Sequence, residues 1–198
     1  IVADLLNTSI TRGLDFSSVV GPGVLIPLAK PNKPRGPLTS LRPIVLLNTI
    51  GKVFSLVILA RISTAVSEFL GPTSSGFRAA RGTSDVVFTQ RWLSAKSQRY
   101  VWECHALGLD MSKAFDTINR AKLLDVMSSF LGRDEVHMIQ HLLYGTTISV
   151  RMCSSTSKAF HTTIGTPQGD SLSPVLFVCY LEAALQEGWR HPSRNRVR

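Results

Sequence analysis

Four groups of residues in this sequence have types and spacings that could do chemistry. Thr166-Pro167-Gln168-Gly169-Asp170-Ser171-Leu172-Ser173-Pro174 is a turn-rich loop feeding directly into an apolar stretch. Gly169 lets the backbone approach another molecule closely, and Gln168 beside it offers both a donor and an acceptor. An ordinary loop that opens a helix, with Pro174 in the first turn, is the alternative. Leu109-Asp110-Met111-Ser112-Lys113-Ala114-Phe115-Asp116 places a carboxylate after a short apolar run and an aromatic five residues on. That pattern suits carboxylate chemistry at a strand end; equally, Asp110 and Asp116 cap the next turn and Phe115 is core. Lys30 and Arg42 flank a turn rich in Pro, Gly and Lys, and Arg78 and Arg81 lie in Ser75-Gly76-Phe77-Arg78-Ala79-Ala80-Arg81-Gly82-Thr83-Ser84-Asp85. Phosphate is the natural ligand of such cations when they converge, although single Lys and Arg residues are more often solvated.

These groups need elements to position them. Apolar residues at helical spacing predict an amphipathic helix over residues 1–12, with Gly13 as its stop. Val24 to Leu28 suits a strand, the turn over residues 30–36 makes a basic hairpin, and residues 44–70 are mostly helix-compatible up to Gly71-Pro72. Another helix is expected over residues 84–94. Residues 106–109 read as a short strand leading into Asp110. Asn119 reads as the N-cap of a helix burying Leu123, Val126, Met127 and Phe130, and Asp134 as the cap of the next. Residues 146–152 and 158–164 alternate like paired strands, and a last helix spans residues 172–187. Helices and strands mix without strict βαβ alternation, which favours an α+β fold.

Composition narrows the partners. The 198 residues carry 22 Lys plus Arg against 13 Asp plus Glu, a net charge of +9. Such a chain repels itself unless a polyanion is near, and seven basic residues against two acids through residue 67 make the N-terminal third its phosphate-facing part. Cys104, Cys153 and Cys179 lie far apart without a CxxC pair, which argues against zinc and a disulfide scaffold and for reduced core thiols. The apolar region over residues 43–62 is interrupted by Asn48, Lys52 and Arg61, so no membrane is expected, nor a secretory signal. His137 and His141 sit four apart without a third ligand, and a solvated helix face is the simpler account. Trp92, Trp102 and Trp189 are scattered rather than interleaved with the cations, so core or partial burial is expected for them.

Together the four groups, in order over residues 20–185, resemble the conserved blocks of non-LTR reverse transcriptases. The PQG loop resembles motif B, the segment around Asp110 motif A, Val24 to Lys33 with Leu41-Arg42-Pro43-Ile44 the fingers motifs, and Gly76-Phe77-Arg78 the GFR block. The resemblance implies an α+β right-hand polymerase, with residues 1–100 as fingers and fingers–palm connection, 101–189 as a partial palm and 190–198 as a basic tail. It implies an RNA-directed DNA polymerase using two Mg²⁺ ions to add deoxynucleoside triphosphates to a DNA primer on an RNA template, in cytoplasm and nucleus. Asp110, with the Met111 carbonyl, would hold metal, since hard cations that neutralise phosphoryl charge prefer oxygen ligands. Lys30 and Arg42 would bind the triphosphate, Phe115 would exclude a 2′-hydroxyl, and Gln168 and Gly169 would lie against nucleotide and template. Lys52, Arg78 and Arg81 would contact nucleic-acid backbone.

One family block does not occur: the aromatic-Ala-Asp-Asp hairpin that supplies the remaining carboxylate. After Asp170 the only acids are Glu182 and Glu187. Truncation of a longer protein is the expectation, which the start on Ile1 without a Met also suggests, and the isolated chain is expected to have negligible polymerase activity. The rivals are an RNA-dependent RNA polymerase or telomerase-like relative, against which Phe115 argues, and a non-catalytic nucleic-acid-binding remnant of a retroelement.

Overall fold

The computed structural model describes residues 22–34 and 36–190, with Asp4, Asn7, Thr8 and Thr11 before them and the side chains of residues 189 and 190 excepted. Of the helix expected over residues 1–12, the four described residues are helical, and residues 191–198 of the basic tail lie outside the described set.

Strand β1 (Gly23–Ala29) and strand β2 (Leu41–Leu46) form the expected hairpin, with Leu25 opposite Val45 and Leu28 opposite Arg42. Residues 44–46, read as the start of a helix, instead complete β2. Two β-branched residues and a Leu there suit a half-buried ladder, and the helix waits for Asn48, whose side chain accepts from the Ile50 N–H. That helix, α1 (Thr49–Phe69), places Phe54, Ile58, Ile62 and Val66 on one face at four-residue spacing and buries them. By length and composition α1 could cross a membrane, the interruptions noted above notwithstanding.

Helix α2 (Thr83–Tyr100) runs further than expected and buries no residue. Its start is closed by Asp85, which accepts from the Gly82 N–H at 2.8 Å. Helix α3 (Arg120–Ser128) is capped as expected, Asn119 accepting from the Lys122 N–H, and Leu123 and Met127 are fully buried. Helix α4 (Arg133–Gly145) has Gly132 at its N-cap, and Asp134 sits in its first turn, where a carboxylate still favours the helix dipole. Strand β3 (Thr147–Met152) pairs antiparallel with short strands β4 (Ser155–Thr156) and β5 (Phe160–His161), and parallel with β1. The expected hairpin over residues 146–164 thus exists, but its return strand ends at His161. Helix α5 (Ser173–Arg190) follows the PQG loop.

One core joins these helices. Ile58 and Ile62 of α1, Leu123 and Met127 of α3, Ile139 of α4, and Leu176 and Cys179 of α5 belong to a single buried cluster, and Phe69 stacks on Phe130 at 4.2 Å. Both this cluster and the β1–β3 pairing draw on residues from either side of position 100.

Several expectations fail. Residues 106–109 form no strand, and Leu107 and Leu109 are 86% and 79% exposed. A strand exists through its ladder, and no described segment pairs with this one. Trp92 and Trp102 are 51% and 45% exposed, so neither is core and each is only partly covered, and the Trp189 side chain is outside the described set. Cys104 and Cys153 are exposed; only Cys179 is a core thiol, its pKa pushed up to about 12 by burial and the nearby Glu182.

Candidate functional site

The hairpin register builds one wall of the site. Lys30 continues β1 past its last pair, its backbone N–H donating to the Ser40 carbonyl, so Arg42 is its diagonal neighbour on the same face. The Lys30 ammonium donates to the Thr39 carbonyl at 2.9 Å and keeps two further donors. Arg42 is exposed and forms no ion pair with a described residue.

The second wall is the turn after Asp110. Asp116 donates its N–H to the Lys113 carbonyl, and Lys113 sits at a φ of 53°. Phe115, half-buried, packs tilted against Phe177 of α5 with ring centres 5.2 Å apart.

The PQG loop is the joint between them. Gly165 and Thr166 donate N–H bonds to the carbonyls of Ile118 and Phe115, both at 2.9 Å. Two residues on, the Gln168 carbonyl accepts from the Val45 N–H of β2, and its side-chain amide donates to Asp116 Oδ1 at 3.1 Å. Two glycines permit the fit. A Cβ on Gly165 (φ 74°) would stand 2.8 Å from the Asp116 carbonyl oxygen, and one on Gly169 (φ 112°) 2.6 Å from that of Val45. The close approach expected of Gly169 is therefore made within the protein, to the edge of β2.

The result is an open cleft of about 540 Å³ lined by Lys30, Arg42, Met111, Lys113, Phe115, Asp116 and Gln168, among others. Five of the residues singled out from sequence meet there. Asp110 does not line the cleft and is exposed. Arg78 donates to the carbonyls of Gly71 and Ser67 at 2.9 Å each and to Ser67 Oγ, closing the end of α1, which leaves its Nε–H and one Nη1–H for any phosphate. Arg81 is exposed, as is Lys52 on α1.

Sequence reasoning missed three contributors. Asp116 was read only as a cap, yet it receives Gln168 and lines the cleft. Gly165, one residue before the recognised loop, lies so close to the Phe115–Asp116 backbone that a Cβ would not fit. Arg120 is 3% exposed behind the loop. A cation in the first turn of a helix opposes the helix dipole, and that misfit was the available signal.

Asp170, directly after the loop's glycine, is buried, and desolvation raises its carboxyl pKa above the usual 3.8. The nearby Ser55 hydroxyl, the N–H groups of Leu172 and Ser171, and the Lys52 charge pull it back. The Ser55 hydroxyl acts on the carboxyl by proximity and not through a well-formed hydrogen bond, since Ser55 Oγ and Asp170 Oδ1 each lack a partner of good geometry.

A basic cleft beside a half-buried aromatic and a backbone-pinned amide has the charge and the shape that a phosphate-bearing ligand needs. The reverse transcriptase (RNA-dependent DNA polymerase) family model matches residues 29–192, and the chain belongs to that family. It is 32% identical over 164 residues, 80% of its length, to the "Probable RNA-directed DNA polymerase from transposon X-element" of Drosophila melanogaster. It is 30% identical over 87% of its length to the RNA-directed DNA polymerase from mobile element jockey of Drosophila funebris. To the retrovirus-related Pol polyprotein from type-2 retrotransposable element R2DM of Drosophila melanogaster it is 25% identical over 73%. The chain spans 18%, 19% and 14% of the length of these relatives, so it corresponds to a minor part of each.

Catalysis in this family depends on divalent metal ions. Among the described residues no three His, Cys, Asp or Glu side chains converge. Asp110 stands apart in an exposed segment, and Asp116 is engaged by Gln168. The donor set present does not amount to a two-ion site, which needs carboxylates clustered around ions about 4 Å apart.

Proposed function

We propose that this chain provides the nucleotide-binding side of an RNA-directed DNA polymerase that extends a DNA primer on an RNA template in cytoplasm and nucleus. Residues 1–100 are assigned to fingers and 101–189 to part of the palm. The observation that carries the reading is the convergence of Lys30, Arg42, Phe115 and Gln168, drawn from three separate segments, on one cleft. Lys30 and Arg42 hold the triphosphate of a deoxynucleotide, the first as a point charge and the second as a fork. Phe115, braced by Phe177, excludes a 2′-hydroxyl. Gln168 and Gly169 lie where nucleotide and template meet, and Lys52 and Arg81 touch nucleic-acid backbone. Asp110 and the Met111 carbonyl contribute part of a Mg²⁺ site that these residues do not complete.

A charge-assisted hydrogen bond is worth roughly 1.5–3 kcal/mol, about ten- to a hundredfold in affinity. Fluorescent deoxyadenosine triphosphate titrated into the chain should therefore bind at least about tenfold more weakly after Lys30→Ala with Arg42→Ala. Lys33→Ala, on the exposed turn, controls for bulk charge. Equal weakening by the control would show diffuse attraction and sink the reading.

The isolated Asp110 favours a second reading for this chain by itself: nucleic-acid binding without turnover. Steep salt dependence is common to both, because counterions are released either way. Selectivity for the deoxynucleotide over its ribose counterpart, lost in Phe115→Val, belongs to the first alone.

A further inference from the structure

Strand β5 ends at His161, and the chain reaches the PQG loop through residues 162–165 in irregular backbone. Carbonyls released from a ladder and turned inward need donors, because an unpaired buried carbonyl costs about as much as a lost hydrogen bond. Arg120 supplies them. Its Nε donates to the Gly165 carbonyl at 2.8 Å, one terminal nitrogen to the Thr162 carbonyl, and the other to Thr162 Oγ1 at 2.6 Å and to the Ile164 carbonyl at 3.3 Å. The guanidinium lies 5.5 Å from the Tyr144 ring centre, and no carboxylate pairs with it among the described residues. Burial lowers its pKa, with Tyr144 opposing.

A buried, unpaired cation is an expensive way to fill a core. Here the charge is solvated almost wholly by the carbonyls of one loop, and those carbonyls belong to the residues just before the site. On the loop's other face the N–H groups of Gly165 and Thr166 are held by Ile118 and Phe115. The loop is clamped from both sides, and the next side chain to emerge is Gln168, whose amide reaches Asp116 at the cleft floor.

We propose that Arg120 is the positioning residue of the nucleotide site: its fork sets the path of residues 162–166 and so the placement of Gln168 and Phe115, without touching a ligand. The inference rests on the nucleotide-binding reading for its functional consequence, and on this chain alone for its structural one. A lysine keeps the charge but cannot reach acceptors on three residues at once, so charge and fork are separable.

The test uses the whole chain and two variants, Arg120→Lys and the milder Thr162→Val, which removes a single acceptor. Hydrogen exchange at the Gly165 and Thr166 amides should quicken at least tenfold in Arg120→Lys and severalfold in Thr162→Val, with amides of α1 and α3 unchanged. Deoxyadenosine triphosphate should bind severalfold or more weakly to both, in that order. Unchanged loop exchange overturns the proposal, whatever happens to binding. Loosened exchange with unchanged triphosphate affinity overturns the positioning role and leaves the reading of Lys30 and Arg42 intact. If wild type captures no triphosphate, the nucleotide reading fails, and loop exchange still decides the clamp. Should Arg120→Lys lose protection in α1 and α3 as well, Thr162→Val decides: unchanged exchange at Gly165 and Thr166 there overturns the clamp.

Discussion

Residues 83–110 and residues 115–180 both carry apolar side chains in regular patterns, and each was read as delivering a polar group to one site. In the second segment the helical patterns find partners. Leu123, Met127, Ile139, Leu176 and Cys179 meet in the core, and the irregular loop between β5 and α5 is held by backbone bonds to residues 115, 118 and 45 and by the Arg120 fork. In the first, Val86, Phe88, Trp92, Leu107 and Leu109 are exposed, and α2 is organised by local contacts: the Asp85 cap, and Lys96 over the rings of Trp92 and Tyr100 at 5.3 and 5.2 Å. Apolar patterning states that a face is suited to burial; what buries it is decided elsewhere in the chain. Gln168 is therefore placed to within a hydrogen bond, while Asp110 has a position and no surroundings.

The sharpest way to break this contrast is to truncate one leucine in each segment. Leu123→Ala removes a fully buried side chain and should lower unfolding free energy by about 2–5 kcal/mol, whereas Leu107→Ala should change it by less than about 0.5 kcal/mol. Urea denaturation of both variants measures the difference, and equal losses would mean that residues 101–110 are packed in solution.

The next effect is local to the joint. An alanine at Gly169 must either push the Val45 carbonyl aside or leave a φ of 112°, and backbone cannot yield as a side-chain tip can. Overpacking of this kind costs about 1–3 kcal/mol. Gly36, also at positive φ (118°) but with open space around it, supplies the control for conformational strain alone. A Gly169→Ala penalty no larger than that of Gly36→Ala would show that the loop does not press on β2 as described.

How much of this was legible beforehand follows the same division. The basic hairpin, the Asn119 cap and the last helix were readable because each depends on neighbours in sequence: a turn, a side chain three residues from its N–H, a 3.6-residue period. Lys30, Arg42, Phe115 and Gln168 were singled out because their segments carry recognisable order, and they line one cleft. The strand at 106–109 was misread because composition cannot report whether a ladder partner exists. The extension of β2 through residues 44–46 was misread because short apolar runs fit either period, and only Asn48 marks the boundary. Arg120 and Asp116 were undervalued because their partners lie about 40–50 residues away, beyond any local pattern.

Asp170 offers a pH-dependent test of how tightly the loop is sealed. Its folded pKa is raised, so the folded state holds its proton to higher pH than the unfolded chain does. The group's favourable contribution is full below the unfolded value near 3.8 and is lost as pH rises through the folded pKa. Asp170→Asn keeps an acceptor for the Ser171 and Leu172 N–H groups and carries no charge to desolvate. The variant should gain stability relative to wild type as pH rises across that interval, with the gain levelling off above the folded pKa. Denaturation midpoints at pH 4, 5.5 and 7 measure it, and a variant that loses ground with rising pH would mean that Asp170 is held as a carboxylate by partners stronger than its burial.

The smallest effect belongs to the one ion pair that ties α1 to α4. Arg61 Nε stands 2.6 Å from Glu135 Oε1, and its hydrogen bond is the main cause that holds the Glu135 carboxyl below the usual 4.5. Here the sign is opposite to that of Asp170: the pair stabilises above the unfolded value and fades as pH falls through the lowered folded one. Both side chains meet solvent, so screening limits its worth to about 0.5 kcal/mol. Arg61→Ala should cost about that much at pH 7 in low salt, and nothing once Glu135 is protonated. The core beneath it, Ile58 and Ile62 against Leu123 and Ile139, would hold the two helices together without the pair. A loss approaching that of Leu123→Ala would instead mean that α1 is fixed by charge, and that Lys52 on the same helix owes its position to the pair as well.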